Sequence, residues 1–110
     1  MSEPDFHHHV YVVELDPAVR DFRRFQAANP DADLALPPLY VGMTGTSPEE
    51  RFAQHRDGRK AGRGFVKRYG VRLRPDLYAH LNPMPFDAAA EMERDLAEDL
   101  RQKGHAVWQK

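Results

Sequence analysis

The chain has 110 residues, of which 30% are charged and 41% hydrophobic, so it is long enough for one domain with a modest core. Cysteine is absent, which excludes disulfides and thiolate zinc sites and fits a reducing compartment. The longest apolar run near the start, residues 10–13, is far too short for a signal-peptide core or a membrane span. We therefore expect a single domain over residues 1–110, a cytoplasmic location and no membrane partner, with residues 1–8 as a flexible N-terminus.

The formal net charge of -1 conceals an uneven distribution of charge. Between residues 51 and 74 there are nine Lys or Arg residues and one acid, Asp57, whereas acids predominate before Arg51. A basic block in a nearly neutral chain is typical of a polyanion-binding surface. A solvated basic helix and loop is the alternative, and the charge run alone does not decide between the two. The candidate substrate-binding cations of this block are Arg56, Arg59, Lys60, Arg63, Lys67 and Arg68.

The first part of the chain predicts two strands with a helix between them. His9–Leu15 is rich in β-branched and aromatic residues, which indicates a strand. Asp16 at the N-cap and Pro17 at the first helical position then begin a helix, and apolar residues at helical spacing continue it to about Ala28. A second strand is expected at Leu39–Met43.

The segment that follows carries a strong helix start. Ser47 is expected to cap, Pro48 to occupy the first helical position, and Glu50 to complete a capping box. This helix should run to about Arg56 and end at Gly58.

The last part predicts a helical turn at Phe65–Tyr69, a strand at Val71–Arg74, and a helix capped by Asp87 that runs to about Lys103. Gly104 follows as the left-handed residue that ends the helix. The expected fold is α+β and sandwich-like. A small three-stranded, mostly antiparallel sheet is flanked by helices, with an extra helix between the first two strands.

Two residues of the capped helix are candidates for phosphate chemistry. Arg51 and His55 are four residues apart, so they share one helix face. The preceding strand ends at Gly42 and Thr44, where a glycine lets the backbone approach a ligand closely. An arginine there can hold a phosphate through two parallel hydrogen bonds. The alternative is an Arg51 paired with a surface acid and an exposed His55.

The last helix contains a carboxylate at the edge of its apolar stripe. Ala89, Met92, Leu96 and Leu100 recur at helical spacing, and Glu93 falls beside this stripe. A carboxylate turned toward the core must be paired, hydrogen-bonded or bound to a metal. Periodicity alone favours a boundary glutamate, solvated or paired with an arginine, over a metal ligand.

Taken together, these motifs resemble the GIY-YIG nuclease superfamily over nearly the whole chain. The resemblance is carried by His9-Val10-Tyr11 on one strand, Tyr40-Val41-Gly42 on the next, then Arg51 and His55, and finally Glu93 on the late helix. Each motif alone is loose, but their order and spacing together are fairly specific.

The resemblance implies a divalent-metal-dependent endonuclease that hydrolyses phosphodiester bonds in DNA. It implies that Glu93 binds Mg²⁺ (or Mn²⁺) and that Arg51 neutralises charge on the phosphate. Tyr11 and Tyr40 would orient or deprotonate the attacking water. Because a free tyrosine has a pKa of about 10, such a base needs nearby cations or an accepting imidazole at His55. The sequence leaves open which tyrosine is the base.

Two positions depart from the family pattern. His9 stands where the family has glycine, and His105 lies near the position of a family asparagine. His105 could donate a hydrogen bond into the site or serve only in packing. The triplet that ends at His9 is interpreted as structural, because neighbouring side chains on a strand point to opposite faces. Phe65 or Tyr69, beside the basic block, could stack on a base.

The departures motivate an alternative, a catalytically inactive nucleic-acid-binding module with the same fold. A third hypothesis is a protein whose basic face binds an acidic partner protein. The presence of all five main site residues favours the enzyme. DNA is expected rather than RNA, with a homodimer or a partner protein to supply specificity.

Overall fold

The computed structural model describes residues 6–57 and 64–109. Within them, one mixed sheet contains the strands β1 (His9–Leu15), β2 (Leu39–Thr44), β3 (Gly70–Leu73) and β4 (Val107–Gln109). The α-helices are α1 (Arg23–Ala28), α2 (Pro48–Arg56), α3 (Phe65–Tyr69) and α4 (Phe86–Gln102), with short 3₁₀ helices at Pro17–Asp21, Pro75–Leu77 and Ala79–Leu81. None of the helices in these two ranges is long and apolar enough to cross a membrane.

The sheet confirms the α+β class but has four strands rather than three. Its order is β3-β1-β2-β4, with β1 antiparallel to both neighbours and β4 parallel to β2. β4 pairs Val107 with Leu39 and Trp108 with Tyr40. Three residues are too few to show the alternation by which a strand is recognised in sequence, so β4 was not predicted.

β1 is one of the two inner strands of the described sheet, and both of its faces are covered. Val10, Tyr11, Val12 and Val13 are consecutive and all buried, which requires packing on either side. α2 and α3 pack against β1 and β3, whereas α4 packs along β1, β2 and β4.

The connection between β1 and β2 contains the expected extra helix, but it is interrupted. The carboxylate of Asp16 accepts a hydrogen bond from the backbone of Ala18 at 2.9 Å, so the predicted cap is confirmed. A 3₁₀ helix follows, and extended backbone at Phe22 (ψ 126°) separates it from α1. This break lets the ring of Phe22 pack on Phe65 and Tyr69, with centroids 5.4 and 5.7 Å apart. Tertiary packing therefore overrides the helical spacing.

α2 forms as the sequence predicts. Ser47 Oγ accepts a hydrogen bond from the backbone N–H of Glu50 at 3.1 Å, and the helix runs over Pro48–Arg56. Gly58, the predicted end, lies outside the described residues.

α4 begins one residue before the predicted cap. Pro85 occupies the N-cap position and Phe86 is the first helical residue, so the assignment of Asp87 as the cap was wrong. Asp87 lies in the first turn instead, where a negative charge favours the helix dipole. The predicted ending is confirmed, because Gly104 adopts a positive φ of 104°.

The edge of β1 beyond β3 is closed by a side chain. Asn82 donates from Nδ2 to the carbonyl of Val10 at 2.7 Å and accepts from the N–H of Val10 at 2.9 Å. Beside it, His8 and Met84 exchange two backbone hydrogen bonds of 3.0 and 2.8 Å. Within the segment 1–8 that was expected to be flexible, His8 is therefore paired, while residues 1–5 lie outside the described part.

Candidate active site

The site is built around the pairing of Tyr11 with Gly42. The two residues are opposite each other in the antiparallel register of β1 and β2, so Tyr40, two residues before Gly42, shares their face of the sheet. The rings of Tyr11 and Tyr40 have centroids 6.1 Å apart. A Cβ on Gly42 would lie 2.7 Å from the Tyr11 oxygen and 3.0 Å from Tyr40 Cε1, so only glycine leaves room for both rings.

His55 of α2 packs on the same two tyrosines and completes a cluster with Tyr11, Tyr40 and Gly42. Its Nε2 lies 2.9 Å from the phenol oxygen of Tyr11, within hydrogen-bonding distance. The imidazole also contacts Tyr40, with centroids 5.7 Å apart. Tyr11 and His55 are only 1% and 2% exposed, whereas Tyr40 is 8% exposed. The hydrogen-bonded pair therefore lies deeper in the protein than Tyr40.

The electrostatic surroundings of the tyrosines bring Arg51 and Glu93 into the site. Burial raises the pKa of Tyr11 well above its ordinary value, and Tyr40 raises it further, whereas the guanidinium of Arg51 lowers it. Burial also raises the pKa of Tyr40, and the charge of Glu93 adds to this. Hydrogen bonding with Tyr11 and the charge of Arg51 act in the opposite direction. Arg51 thus acts on both phenols, whereas Glu93 acts on Tyr40.

Arg51 is half-buried in the first turn of α2. Its Nη1 donates a hydrogen bond to Gln54 Oε1 at 3.2 Å, so the guanidinium is held on this helix face. Gln54 was not singled out in the sequence. Its position three residues after Arg51, on the same helix face, is the signal by which it could have been found.

Glu93 is the carboxylate beside the tyrosines that could hold a divalent cation. Among residues 6–57 and 64–109, no cluster of three or more His, Asp or Glu side chains is arranged to bind a metal. Glu93 is half-buried on α4 and close enough to raise the pKa of Tyr40. Mg²⁺ is commonly bound through one or two carboxylates, with water and substrate phosphate as its other ligands. Glu93 therefore fits a magnesium site that is completed by the substrate.

No family model, curated protein or solved structure matches this chain.

The remaining predicted site residues divide into those near the cluster and those apart from it. Thr44 is buried at the end of β2, where its hydroxyl accepts from the backbone of Thr46 at 3.1 Å and so shapes the turn after the strand. His9 is half-buried and pairs with Thr44 at the start of β1. His105 lies just before β4, and its Nδ1 is 2.9 Å from the carbonyl of Pro37, which precedes β2. The structure does not bring it together with the tyrosines.

The structure describes three of the six cations that were predicted to bind substrate. Arg56 is exposed at the end of α2, with its guanidinium 5.4 Å from the ring centroid of Phe52. Lys67 and Arg68 are exposed on α3, which packs against α2. The others, Arg59, Lys60 and Arg63, lie outside the described residues.

Proposed function

We propose that this chain is a single-domain GIY-YIG-type endonuclease that hydrolyses phosphodiester bonds in DNA with the help of Mg²⁺ or Mn²⁺. The observation that carries this proposal is the 2.9 Å contact between Tyr11 Oη and His55 Nε2. It gives a buried phenol a basic partner at a place where Arg51 and Glu93 also act. A proton acceptor, a phosphate-binding cation and a carboxylate are the groups that metal-assisted phosphodiester hydrolysis needs.

Proton transfer runs through the tyrosines to His55. A phenolate is not accessible at neutral pH, because burial raises the pKa of Tyr11 and of Tyr40. Tyr40, the more exposed phenol, takes a proton from the attacking water as it passes its own proton to Tyr11. Tyr11 in turn protonates Nε2 of His55. Neither tyrosine carries a full charge in this concerted transfer, so their raised pKa values are no obstacle.

Arg51 and Glu93 act on the phosphate. The guanidinium of Arg51 binds the non-bridging oxygens and stabilises the additional negative charge of the transition state. Glu93 would hold the divalent ion, which supplies Lewis-acid polarisation of the phosphate when bound.

Cleavage assays on duplex, flap, four-way junction, single-stranded DNA and RNA test the proposal. Wild-type protein should nick at least one DNA substrate with Mg²⁺ or Mn²⁺. Glu93→Ala and Arg51→Ala should each abolish cleavage with the fold intact by circular dichroism. Glu91→Ala is the matched control, because Glu91 is an exposed carboxylate two residues away on α4. Equal cleavage by the Glu93 and Glu91 variants would contradict the proposal.

The proton path has its own test. Tyr11→Phe and Tyr40→Phe should each lower the rate by about 100-fold or more, the usual contribution of acid–base catalysis. Because the two phenols act as one unit, the double variant should be little slower than either single one. Additive losses would show that the tyrosines act separately.

A second candidate is a nucleic-acid-binding module without turnover. The low exposure of Tyr11 and His55 favours it, since a substrate has little direct access to either side chain. Exposed Arg56, Lys67 and Arg68 provide a basic surface for such binding. This candidate predicts salt-dependent binding of nucleic acid and no cleavage with any divalent ion.

A further inference from the structure

A cleft next to the candidate site combines two aromatic rings with an arginine. It has a volume of about 410 Å³, and the described residues that line it are Arg24, Gly64, Phe65 and Trp108. The Arg24 guanidinium carbon is 5.0 Å from the ring centroid of Phe65 and 5.9 Å from that of Trp108. The two rings meet edge to face, with centroids 5.1 Å apart. These contacts hold a planar cation against an aromatic platform.

The platform is fixed from the core side. Phe25, which is 1% exposed, stacks on Trp108 with the ring planes 25° apart. Phe65 is also buried, whereas Trp108 is half-buried and Arg24 is exposed. Only the side of the platform that carries Arg24 is therefore open to a ligand.

The cleft lies one strand away from the reacting groups. Trp108 on β4 pairs in register with Tyr40 on β2, and neighbouring strands are about 4.8 Å apart. Paired residues point to the same face of a sheet, so the indole and Tyr40 lie side by side. A base bound in the cleft would therefore lie one strand away from Tyr40, on the same face of the sheet.

We infer that the Arg24–Trp108 cleft binds an unpaired nucleobase of the substrate, stacked on the guanidinium plane. Planar bases stack on arginine and on aromatic rings in single-strand recognition. None of the described lining residues is acidic, so none of them repels the phosphates of the strand that carries the base. A base within a duplex is already stacked on both faces and cannot enter without leaving the helix. The inference rests on the proposed function and narrows its substrates to nucleic acids with an unpaired nucleotide beside the scissile phosphate.

Trp108, the only tryptophan of the chain, provides a readout that does not depend on cleavage. A single-stranded oligodeoxynucleotide, titrated into the whole protein in metal-free buffer, should quench its fluorescence. An abasic oligonucleotide of the same length, and a duplex of the same sequence, should bind about tenfold more weakly and quench less, because base stacking is lost. Equal binding of the intact and abasic strands would overturn the inference.

Three arginine variants separate stacking from charge. Arg24→Ala should weaken single-strand binding by about tenfold. Arg24→Lys keeps the positive charge but loses the planar guanidinium on which a base can stack, so it should weaken binding nearly as much. Arg23→Ala is the matched control, because Arg23 is an exposed arginine of the same helix that does not line the cleft. Circular dichroism checks that all three fold. Equal losses in the Arg24→Ala and Arg23→Ala variants would leave only non-specific charge attraction and sink the inference.

The two proposals fail differently. Base-dependent quenching without cleavage by any divalent ion would remove the proposed hydrolysis and keep the base-binding cleft. Cleavage of paired duplex as fast as of single strands, without base-dependent quenching, would keep the hydrolysis and remove the cleft.

Discussion

A Cβ placed on Gly42 would lie 2.7 Å from the phenol oxygen of Tyr11, closer than real Cβ contacts allow. Gly42→Ala should therefore push Tyr11 off His55. We expect a loss of about 1–3 kcal/mol in the free energy of unfolding, as in other overpacked cores. The cleavage rate should fall by about 100-fold or more, because the proton path is interrupted. Urea denaturation and a nicking assay measure the two effects.

Gly45→Ala is the control for this substitution. Gly45 is exposed just after β2, and a Cβ there would meet His8 at 3.5 Å, an ordinary van der Waals contact. Stability and cleavage should be nearly unchanged. Similar losses in both variants would show that the β2 turn, rather than the Tyr11 hydroxyl, is sensitive to substitution.

Two buried tyrosines should respond in opposite ways to loss of the hydroxyl. Tyr11→Phe leaves His55 Nε2 without the 2.9 Å partner and should cost about 1–3 kcal/mol of folding free energy. Tyr78 is also buried, but its hydroxyl has no hydrogen-bond partner among the described residues. Tyr78→Phe should therefore be neutral or slightly stabilising. Urea denaturation of the two variants tests this, and a larger loss for Tyr78→Phe would contradict it.

The folded protein should lose stability in alkali because it holds its buried tyrosines protonated. Burial raises the pKa of Tyr78 to about 12, with help from the charges of Glu49 and Asp76, and burial also raises the pKa of Tyr11 and Tyr40. Below about pH 10 these phenols are neutral in both states. Above it the unfolded chain ionises first, so the unfolding free energy falls as pH rises. Each tyrosine should lower the unfolding free energy by up to about 1.4 kcal/mol for every pH unit in this range.

Urea denaturation at increasing pH measures this fall, with phenolate absorbance as a second readout. Tyr78→Phe should flatten the curve between about pH 10 and about pH 12, the window of its own shift. Part of the fall should remain in this variant, because burial also raises the pKa of Tyr11 and Tyr40. A stability that stays constant through this range would show that water reaches the phenols in the folded state.

Removal of the Glu93 charge should be visible at Tyr40. After burial, this carboxylate is a main cause of the raised pKa of Tyr40, so Glu93→Gln should lower that pKa. Nuclear magnetic resonance of labelled tyrosine, titrated in alkali, reports the change. Glu91→Gln should leave it where it is. At neutral pH, addition of Mg²⁺ should shift the ring signals of Tyr40 in the wild-type protein and have no effect in Glu93→Gln. An equal effect of Mg²⁺ in both would exclude Glu93 as the metal ligand.

The sequence predicted the elements whose signals are local. β1 was expected at His9–Leu15 and occupies those residues, and the capped start of α2 at Ser47 was also correct. The fourth strand was missed because its identity depends on a distant partner, β2. The break at Phe22 was missed for the same reason, since packing on Phe65 decides it.

The candidate site shows the same division. Spacing on one helix placed Arg51 and His55 on a common face, and a resemblance to a nuclease family suggested that Tyr11, Tyr40 and Glu93 join them. The contact of Tyr11 with His55 joins residues 44 positions apart, and no local pattern encodes it. The cleft at Trp108 likewise joins a helix between the first two strands to the last strand of the sheet.

The side chain of Asn82 has a consequence for association between chains. An open strand edge is a template on which a second polypeptide can add a strand. By occupying both backbone groups of Val10, Asn82 denies that template at the residue next to Tyr11. Asn82→Ala would uncover a donor and an acceptor on the strand that carries the phenol. The same amide therefore covers a strand edge that a second chain could pair with and lies on the residue next to Tyr11.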